Sequence, residues 1–420
     1  FGFYFWNHLK IFIPNMLHLS SGVYSAGVIL ALGFIYIILI RNIKLKIIIH
    51  RFIFLYCIIN FLLFLYAFST HIKNKIFVKI NNENDLKVDM SSDIINSEKP
   101  NIYYIIFDGM LSIEKAKSMG MIDSKKINEL INLEDFLYVN KSFSNYDTTY
   151  LSLASIHYVN YMQNEKSPPY KSRFNYFPMM MTYNKNIPLI KLLNKNNYKY
   201  IWTGNSWADC RSTESINCIN KQSLIPPILK KFSSNSPFCH ILNRLPFNES
   251  LKCQNLLPPD LVFRVKLAMS QIEKPFFMFN HINMPHPPYD RHKNCNIADF
   301  KDNKIGYGAS YNCALLKINN FIKYIGEKDP SALVVIQSDH GWSFNNIVAE
   351  RASIFNAFKV PKKCVNKNDL PKSNTNTLKL ILNCALNLNL IYDENLHFTS
   401  EKEGSDKYGF LKKYKTSEFK

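Results

Sequence analysis

The stretch that decides the fold is Leu333-Val334-Val335-Ile336-Gln337-Ser338-Asp339-His340-Gly341, an uncharged apolar run that ends in an acid and a histidine. Three other runs have the same form. Ile102–Phe107 leads into Asp108-Gly109, and Tyr198–Trp202 leads into Thr203-Gly204-Asn205. Phe276–Phe279 leads into Asn280-His281 and then His286-Pro287-Pro288-Tyr289. Short continuous apolar runs separated by helix-like segments read as strands buried on both faces of a parallel sheet. The expected fold class is therefore α/β, with a mostly parallel central sheet flanked by helices. In open sheets of this kind, ligands bind beyond the carboxyl ends of the strands. Asp108, His286, Asp339 and His340 are thus expected to converge on one site from distant parts of the chain.

The beginning of the chain has a different character. Gly22–Ile40 is 19 residues without a charge, and Phe52–Thr70 is a second uncharged stretch. Each is long enough as a helix to span about 30 Å of hydrocarbon. The two predict a transmembrane hairpin, and residues 1–71 are expected to form a membrane anchor. The connecting loop carries Arg41, Lys44, Lys46 and Arg51. Positively charged short loops stay in the cytoplasm, which places the remainder of the chain on the outer side. The chain starts at Phe1 rather than Met, so a further N-terminal portion is expected.

Residues 72–100 are polar and read as a linker. Residues 101–400 are expected to form one outer catalytic domain, and 401–420 a polar, frayed tail. Ser206–Pro259 is rich in Ser, Asn, Pro and Cys and reads as a loop-rich insertion. Beyond Cys57, the chain has eight cysteines, an even number that fits disulfides in an oxidising compartment. Short loops close most easily, which favours pairing of neighbours. The expected bonds are Cys210–Cys218, Cys239–Cys253, Cys295–Cys313 and Cys364–Cys384. The absence of any Cys-x-x-Cys pair argues against a cysteine zinc site. The net charge of +19 suits an anionic membrane surface, and the anchor and outer location argue against nucleic acid as partner.

The segment Asn145-Tyr146-Asp147-Thr148-Thr149-Tyr150-Leu151-Ser152-Leu153-Ala154-Ser155 reads as a loop entering a helix. A Thr at a helix start usually caps it through its side-chain oxygen. The same position also suits catalysis, because a helix N-terminus stabilises an alkoxide and binds phosphate oxygens.

Asp108-Gly109 after the first strand, the Asn-Tyr-x-x-Thr-x-x-Ser-Leu-x-Ser segment, His286-Pro287-Pro288-Tyr289, Ser338-Asp339-His340-Gly341 and Glu350–Ala357 together resemble the alkaline-phosphatase superfamily. The resemblance is to its membrane-anchored, sulfatase-like branch of phosphoethanolamine transferases and lipoteichoic acid synthases, and it spans about residues 101–361. It implies a metal site of Asp108, Thr149, Asp339 and His340, with Thr149 also the nucleophile, and Zn²⁺ or Mn²⁺ as the divalent ion. Thr149 is preferred to Thr148 because it stands three residues before Ser152, as the family nucleophile stands before its Ser. His286 matches the family's His-x-Pro segment, which contacts the transferred group or a second metal, and His281 is a second substrate-binding candidate. The chain departs from the pattern at Trp342, where many phosphoethanolamine transferases carry Glu, and no further His follows until His397. A complete two-metal site is therefore not expected. The Cys-x-Pro-x-Arg motif of true sulfatases is absent, so sulfate-ester hydrolysis is not expected.

The implied function is transfer of a phosphoethanolamine- or glycerophosphate-type substituent from a phospholipid donor to a surface glycan or lipid acceptor, through a phospho-Thr intermediate. The implied location is the bacterial inner membrane, with the catalytic domain on the periplasmic side. The alternative within the same chemistry is a metal-dependent phosphatase, phosphodiesterase or other sulfatase-like hydrolase. A non-catalytic membrane-tethered binding protein is the alternative of a different class.

Overall fold

In the computed structural model the chain divides into two compact units, residues 1–83 with 221–257, and residues 84–220 with 258–420. The residues described are 99–122, 135–162, 187–204, 216–219, 260–366, 369–403 and 407–419, with Leu55 and Ile58. All but those two belong to the second unit. The expected transmembrane hairpin and most of the linker lie outside the described residues. Among the described residues, no helix is long and apolar enough to cross a membrane.

The second unit is built on a seven-stranded sheet in the order β2-β7-β6-β1-β5-β3-β4. Five strands are mutually parallel, β1 (Ile102–Phe107), β3 (Lys199–Trp202), β5 (Phe276–Ile282), β6 (Leu333–Ser338) and, at one edge, β4 (Ile216–Cys218). At the other side the short strand β7 (Asn356–Lys359) runs antiparallel to β6, and β2 (Leu137–Tyr138) forms the edge antiparallel to β7. The four apolar runs thus become β1, β3, β5 and β6. Strand β4 lies inside the segment expected to be a loop-rich insertion. Its three residues are too few to show a period.

Each face of the sheet is covered by helices. On one face Tyr103, Ile105, Phe107 and Met278 pack with Tyr307, Tyr311, Leu315 and Ile318 of α5 (Asn303–Lys328) and with Val265 of α4 (Leu261–Gln271). On the other, Tyr104, Ile106, Phe277 and Phe279 meet Leu153 and Ile156 of α2 (Thr149–Tyr158). Leu189 and Leu193 of α3 (Pro188–Lys195) and Leu378 and Ile381 of α7 (Asn374–Leu386) complete that layer. The short helices are α1 (Ile113–Ser118) and α6 (Val348–Ala352). Side-chain caps start several of these helices. Asp302 accepts from the backbone N–H of Lys304 and Ile305, and Ser373 from that of Asn376.

Strand register carries the polar residues to one face. Ile106 pairs with His281 of β5 and with Gln337 of β6. Side chains alternate along a strand, so Asp108 and Asp339, two positions on, share the face of His281. That face is the one covered by α2, which begins at Thr149.

Residues 401–420, expected to be a frayed tail, instead carry β9 (Lys407–Lys415), which pairs antiparallel with β8 (Leu396–Glu403). Phe398 and Leu411 bury themselves against Tyr146, Tyr150 and Leu151. The many charges of this segment misled, because a hairpin needs apolar residues on only one face.

Cys295–Cys313 and Cys364–Cys384 are disulfides. Cys218 is disulfide-bonded too. The bonds expected for Cys210, Cys239 and Cys253 involve residues outside the described set.

Candidate metal centre

Three strand ends and one helix start meet at this centre. After β1, Gly109 turns the chain at φ +71, a value that only glycine adopts freely. Its N–H donates to Asp339 Oδ1 at 3.0 Å, and the N–H of His340 donates to the same oxygen at 2.9 Å. Asp339 is thereby fixed with Oδ2 turned elsewhere. Ser338 Oγ donates to the carbonyl of Phe107 at 2.7 Å and accepts from Met110 N–H at 2.8 Å, which locks the ends of β6 and β1 together. Gly341 is required by space, since a Cβ there would run into the carbonyls of Glu350 and Ser353.

Asp108, His281 and Asp339 are fully buried, and each offers one ligand atom within 4.8 Å of the others. His281 Nε2 lies 3.5 Å from Asp108 Oδ2. His340 Nε2 lies 3.7 Å from Asp108 Oδ1 and 3.5 Å from Asp339 Oδ2. Those three carboxylate oxygens are buried and have no hydrogen-bond partner. Buried carboxylate oxygens left unpaired are costly unless a cation or proton satisfies them. Ligands about 2.0–2.1 Å from a tetrahedral Zn²⁺ stand roughly 3.4 Å from one another. The spacing and the oxygen–imidazole chemistry therefore fit a divalent ion such as Zn²⁺ or Mn²⁺.

Thr149 is buried at the first position of α2, and its Oγ1 lies 3.1 Å from His340 Nε2. His340 Nδ1 is 2.8 Å from the carbonyl of Gly341, so the proton sits on Nδ1 and Nε2 presents a lone pair to the hydroxyl. Neither threonine caps the helix. Thr148 occupies the cap position without a side-chain cap bond, and its own hydroxyl is buried without a partner.

Burial raises the Asp108 carboxyl well above the usual range, and the charge of Asp339 adds to this. Arg351 and the nearby Thr149 hydroxyl oppose the shift, although the hydroxyl makes no hydrogen bond of ordinary geometry to Asp108. Burial holds His281 down to about 4, and burial together with Arg351 lowers His340 well below the ordinary imidazole value. Both rings are neutral at pH 7 and keep a nitrogen lone pair for a cation.

His286 stands at the mouth of the centre. Its N–H donates to the carbonyl of Asp108 at 3.1 Å, its Nδ1 is 2.8 Å from the carbonyl of Pro287, and its ring meets Trp342 edge to face at 5.5 Å. It is only half-buried. The structure thus separates the two histidines grouped as substrate-binding candidates. His281 lies with the carboxylates and His286 lies outside them.

Two residues that the sequence did not single out also face this region. Arg351 lies over the Trp342 ring at 5.2 Å and donates from Nε to the carbonyl of Asp147 at 2.9 Å. His397, on β8, is fully buried, with Nδ1 2.8 Å from the carbonyl of Ser144 and Nε2 unpartnered. Burial and Arg351 keep it neutral, with its pKa near 4. Glu350–Ala357 was part of the motif set and could have pointed to Arg351. Nothing in the sequence places His397 here.

No protein-family model matches the chain. No curated protein sequence matches it either. Among solved structures, it is similar to the integral membrane lipooligosaccharide phosphoethanolamine transferase A of Neisseria meningitidis at 12% identity and a TM-score of 0.48, covering 72% of this chain and 57% of that one. It is similar to the C-terminal periplasmic domain of EptC from Escherichia coli in complex with Zn at 12% identity and a TM-score of 0.42, covering 71% of this chain and 85% of that one. It is also similar to a sulfatase from a Bacteroides thetaiotaomicron locus that metabolises multiple glycosaminoglycans, at 14% identity and a TM-score of 0.45, covering 74% and 82%. By name these neighbours are phosphoethanolamine transferases and a sulfatase.

Proposed function

We propose that this chain is a metal-dependent phospho-group transferase with Thr149 as nucleophile. The observation that carries this reading is the Thr149 hydroxyl, 3.1 Å from His340 Nε2 and at the edge of a cluster of buried carboxylate oxygens without partners. Asp108, Asp339, His340 and Thr149 would hold the ion, with His281 as a further donor. A bound Zn²⁺ or Mn²⁺ supplies Lewis acidity to phosphoryl oxygens and lowers the pKa of a coordinated hydroxyl.

The residues of the chain divide the remaining work. The N-terminus of α2 places its partial positive charge at the Thr149 oxygen, which favours the alkoxide. His340 is held in one tautomer by Gly341, so its Nε2 lone pair is directed at the ion position beside the Thr149 oxygen. Thr149 Oγ1 attacks phosphorus, and the proton it loses passes by way of solvent to the departing diacylglycerol oxygen. The bond from phosphorus to the donor oxygen breaks, and diacylglycerol leaves as the protonated alcohol. An acceptor hydroxyl on a surface glycan or lipid then attacks the phospho-Thr, loses its proton and restores the Thr149 hydroxyl. His286 is placed to contact the transferred group, because it borders Asp108 and is half open to solvent.

A membrane location with the domain on the periplasmic side is supported by the two uncharged stretches, the basic loop between them and the disulfides. The test is metal analysis of the purified chain, followed by mass spectrometry after incubation with phospholipid. A phospho-substituent on Thr149 and about one divalent ion per chain are the expected results. A metal-free chain with an unmodified Thr149 would overturn the proposal.

A further inference from the structure

Arg351 is a cation beside the metal ligands, and its position is built rather than incidental, whereas the other nearby guanidinium, Arg264, is turned to the Thr203 carbonyl and Asn280 Oδ1. The guanidinium rests on the Trp342 ring at 5.2 Å. Its Nε is fixed by the carbonyl of Asp147, two residues before Thr149. Its own carbonyl accepts from Gly341 N–H at 2.7 Å, directly after His340. Arg351 therefore ties the segment carrying the nucleophile to the segment carrying two proposed ligands. The adjacent acid does not neutralise it, because Glu350 pairs with Lys115 at 3.3 Å and accepts from Ser343 Oγ at 2.9 Å. Among the described residues, no carboxylate lies within ion-pair distance of the Arg351 guanidinium, so both Nη groups keep their donors for another acceptor. The Trp342 ring lies beside Gly109, His286 and His340, since a Cβ on Gly109 would lie 3.5 Å from it, 3.8 Å from His340 and 3.9 Å from His286.

Charge balance gives this arrangement a purpose. Asp108 and Asp339 carry two negative charges, and a divalent ion would cancel both. Arg351 adds a positive charge beside them, and its planar fork matches two non-bridging phosphoryl oxygens.

We propose that Arg351 is the substrate clamp of this site, binding two non-bridging oxygens of the phospho group through its Nη donors while Trp342 and the Asp147 carbonyl hold the guanidinium in place. This rests on the phospho-transfer reading and adds to it that the site takes anionic phosphoesters and discriminates against uncharged esters. It also gives Trp342 a role, as the platform under the guanidinium.

The experiment is calorimetric titration of the zinc-loaded full chain with inorganic phosphate, with metal content and melting temperature measured on the same samples. Arg351→Gln is expected to keep wild-type zinc and melting temperature and to lose phosphate affinity by about tenfold or more. Arg351→Lys, which keeps charge but not the fork, is expected to lose about threefold or more. Equal phosphate affinity in Arg351→Gln and wild type, or no phosphate binding by wild type, overturns the clamp. So does loss of zinc from Arg351→Gln, because the guanidinium would then hold the centre together rather than its ligand. If Arg351→Gln does not fold, unchanged affinity in Arg351→Lys overturns the clamp. A wild-type chain without zinc instead overturns the metal reading, and the phosphate comparison then still decides the role of Arg351.

Discussion

The hydroxyl of Thr149 lies 3.1 Å from Nε2 of His340, although 191 positions separate the two residues in the chain. The contact joins the start of α2 to the end of β6. Because Nδ1 of His340 is committed to the Gly341 carbonyl, the hydroxyl donates to a neutral nitrogen with a fixed lone pair. A threonine that merely capped its helix would turn its oxygen toward its own backbone.

Thr149→Ala is therefore expected to separate activity from stability. The substitution removes no helix cap, so the melting temperature should change by no more than the equivalent of about 1 kcal/mol. Turnover should fall by roughly 10³-fold or more, as expected when a covalent nucleophile is lost. Thr149→Ser, which keeps the oxygen, should retain most of the activity. Kinetics on the three proteins, with thermal melts alongside, check this. Wild-type turnover in Thr149→Ala would move the nucleophile to another residue, with Thr148 the first to test.

The buried carboxylate pair makes a prediction about the metal-free protein. Burial and Asp339 raise the Asp108 pKa, so at neutral pH its ionised form costs folding energy when no cation is present. Asp108→Asn should raise the stability of the metal-free chain by roughly 1–3 kcal/mol. It should also shrink the stabilisation that metal confers on wild type, which is about 2.7 kcal/mol at a metal concentration 100-fold over the dissociation constant. Melting curves with and without Zn²⁺ read both effects. An Asp108→Asn protein that gains as much from zinc as wild type would exclude Asp108 as a ligand.

His157 provides a pH test away from the centre. It is fully buried on α2, with Nδ1 2.7 Å from the Leu153 carbonyl and Nε2 2.8 Å from the Tyr200 hydroxyl. Burial lowers its pKa from 6.5 to about 3. Below pH 6.5 the unfolded chain therefore binds a proton that the folded chain refuses. Stability from this group is complete above pH 6.5 and is lost as pH falls toward 3, at about 1.4 kcal/mol per pH unit. His397, lowered to about 4, adds a similar slope over a narrower window. His157→Gln should lose about 1 kcal/mol at pH 7 and flatten the acid limb of the stability curve. An unchanged acid limb in urea melts of the variant would show that His157 titrates normally in the folded chain.

The strands and the convergence of their ends were legible in the sequence because buried parallel strands carry no polar interruption. Asp108, Asp339 and His340 follow such runs directly, and their approach required only that the runs become neighbours. The position of His281 was not legible in the same way. It depends on the register that pairs Ile106 with His281, which no single strand encodes. His397 reaches the region through the β8–β9 hairpin, whose second strand lies in the charge-rich residues 401–420 that read as a solvated tail. Arg351 lies in a recognisable motif, but its direction is set by Trp342 and Asp147, which are remote from it in sequence or on another turn.

The Cys364–Cys384 bond ties a short turn to α7, one of the helices covering the sheet face that carries Asp108 and Asp339. The bond closes a loop of 20 positions. Loop-closure entropy gives such a bond about 3 kcal/mol. Cys364→Ser with Cys384→Ser should therefore lower the melting temperature by several degrees. Non-reducing peptide mapping should recover the 364–384 and 295–313 pairs from the native protein. Free thiols at all four positions would remove the support that disulfides lend to an outer location.

The final distinction is between transfer and hydrolysis. In the proposed mechanism both pass through the same phospho-Thr, and they differ in what can approach it. A hydrolase admits water to the intermediate, whereas a transferase must keep it until an acceptor hydroxyl arrives. Thr149 is almost fully buried, and the Arg351 guanidinium on Trp342, with half-buried His286 against the same ring, flanks the centre. Such walls suit a bound phospho group better than free solvent. Wild-type enzyme in phospholipid vesicles should therefore release diacylglycerol slowly alone, and about tenfold or more faster once a glycan or lipid acceptor is added. Acceptor-dependent turnover, with the substituent recovered on the acceptor by mass spectrometry, is the expected outcome. Rapid hydrolysis of soluble phosphate esters, unaffected by acceptor, would place the chain among phosphatases or phosphodiesterases while leaving Thr149 as the nucleophile.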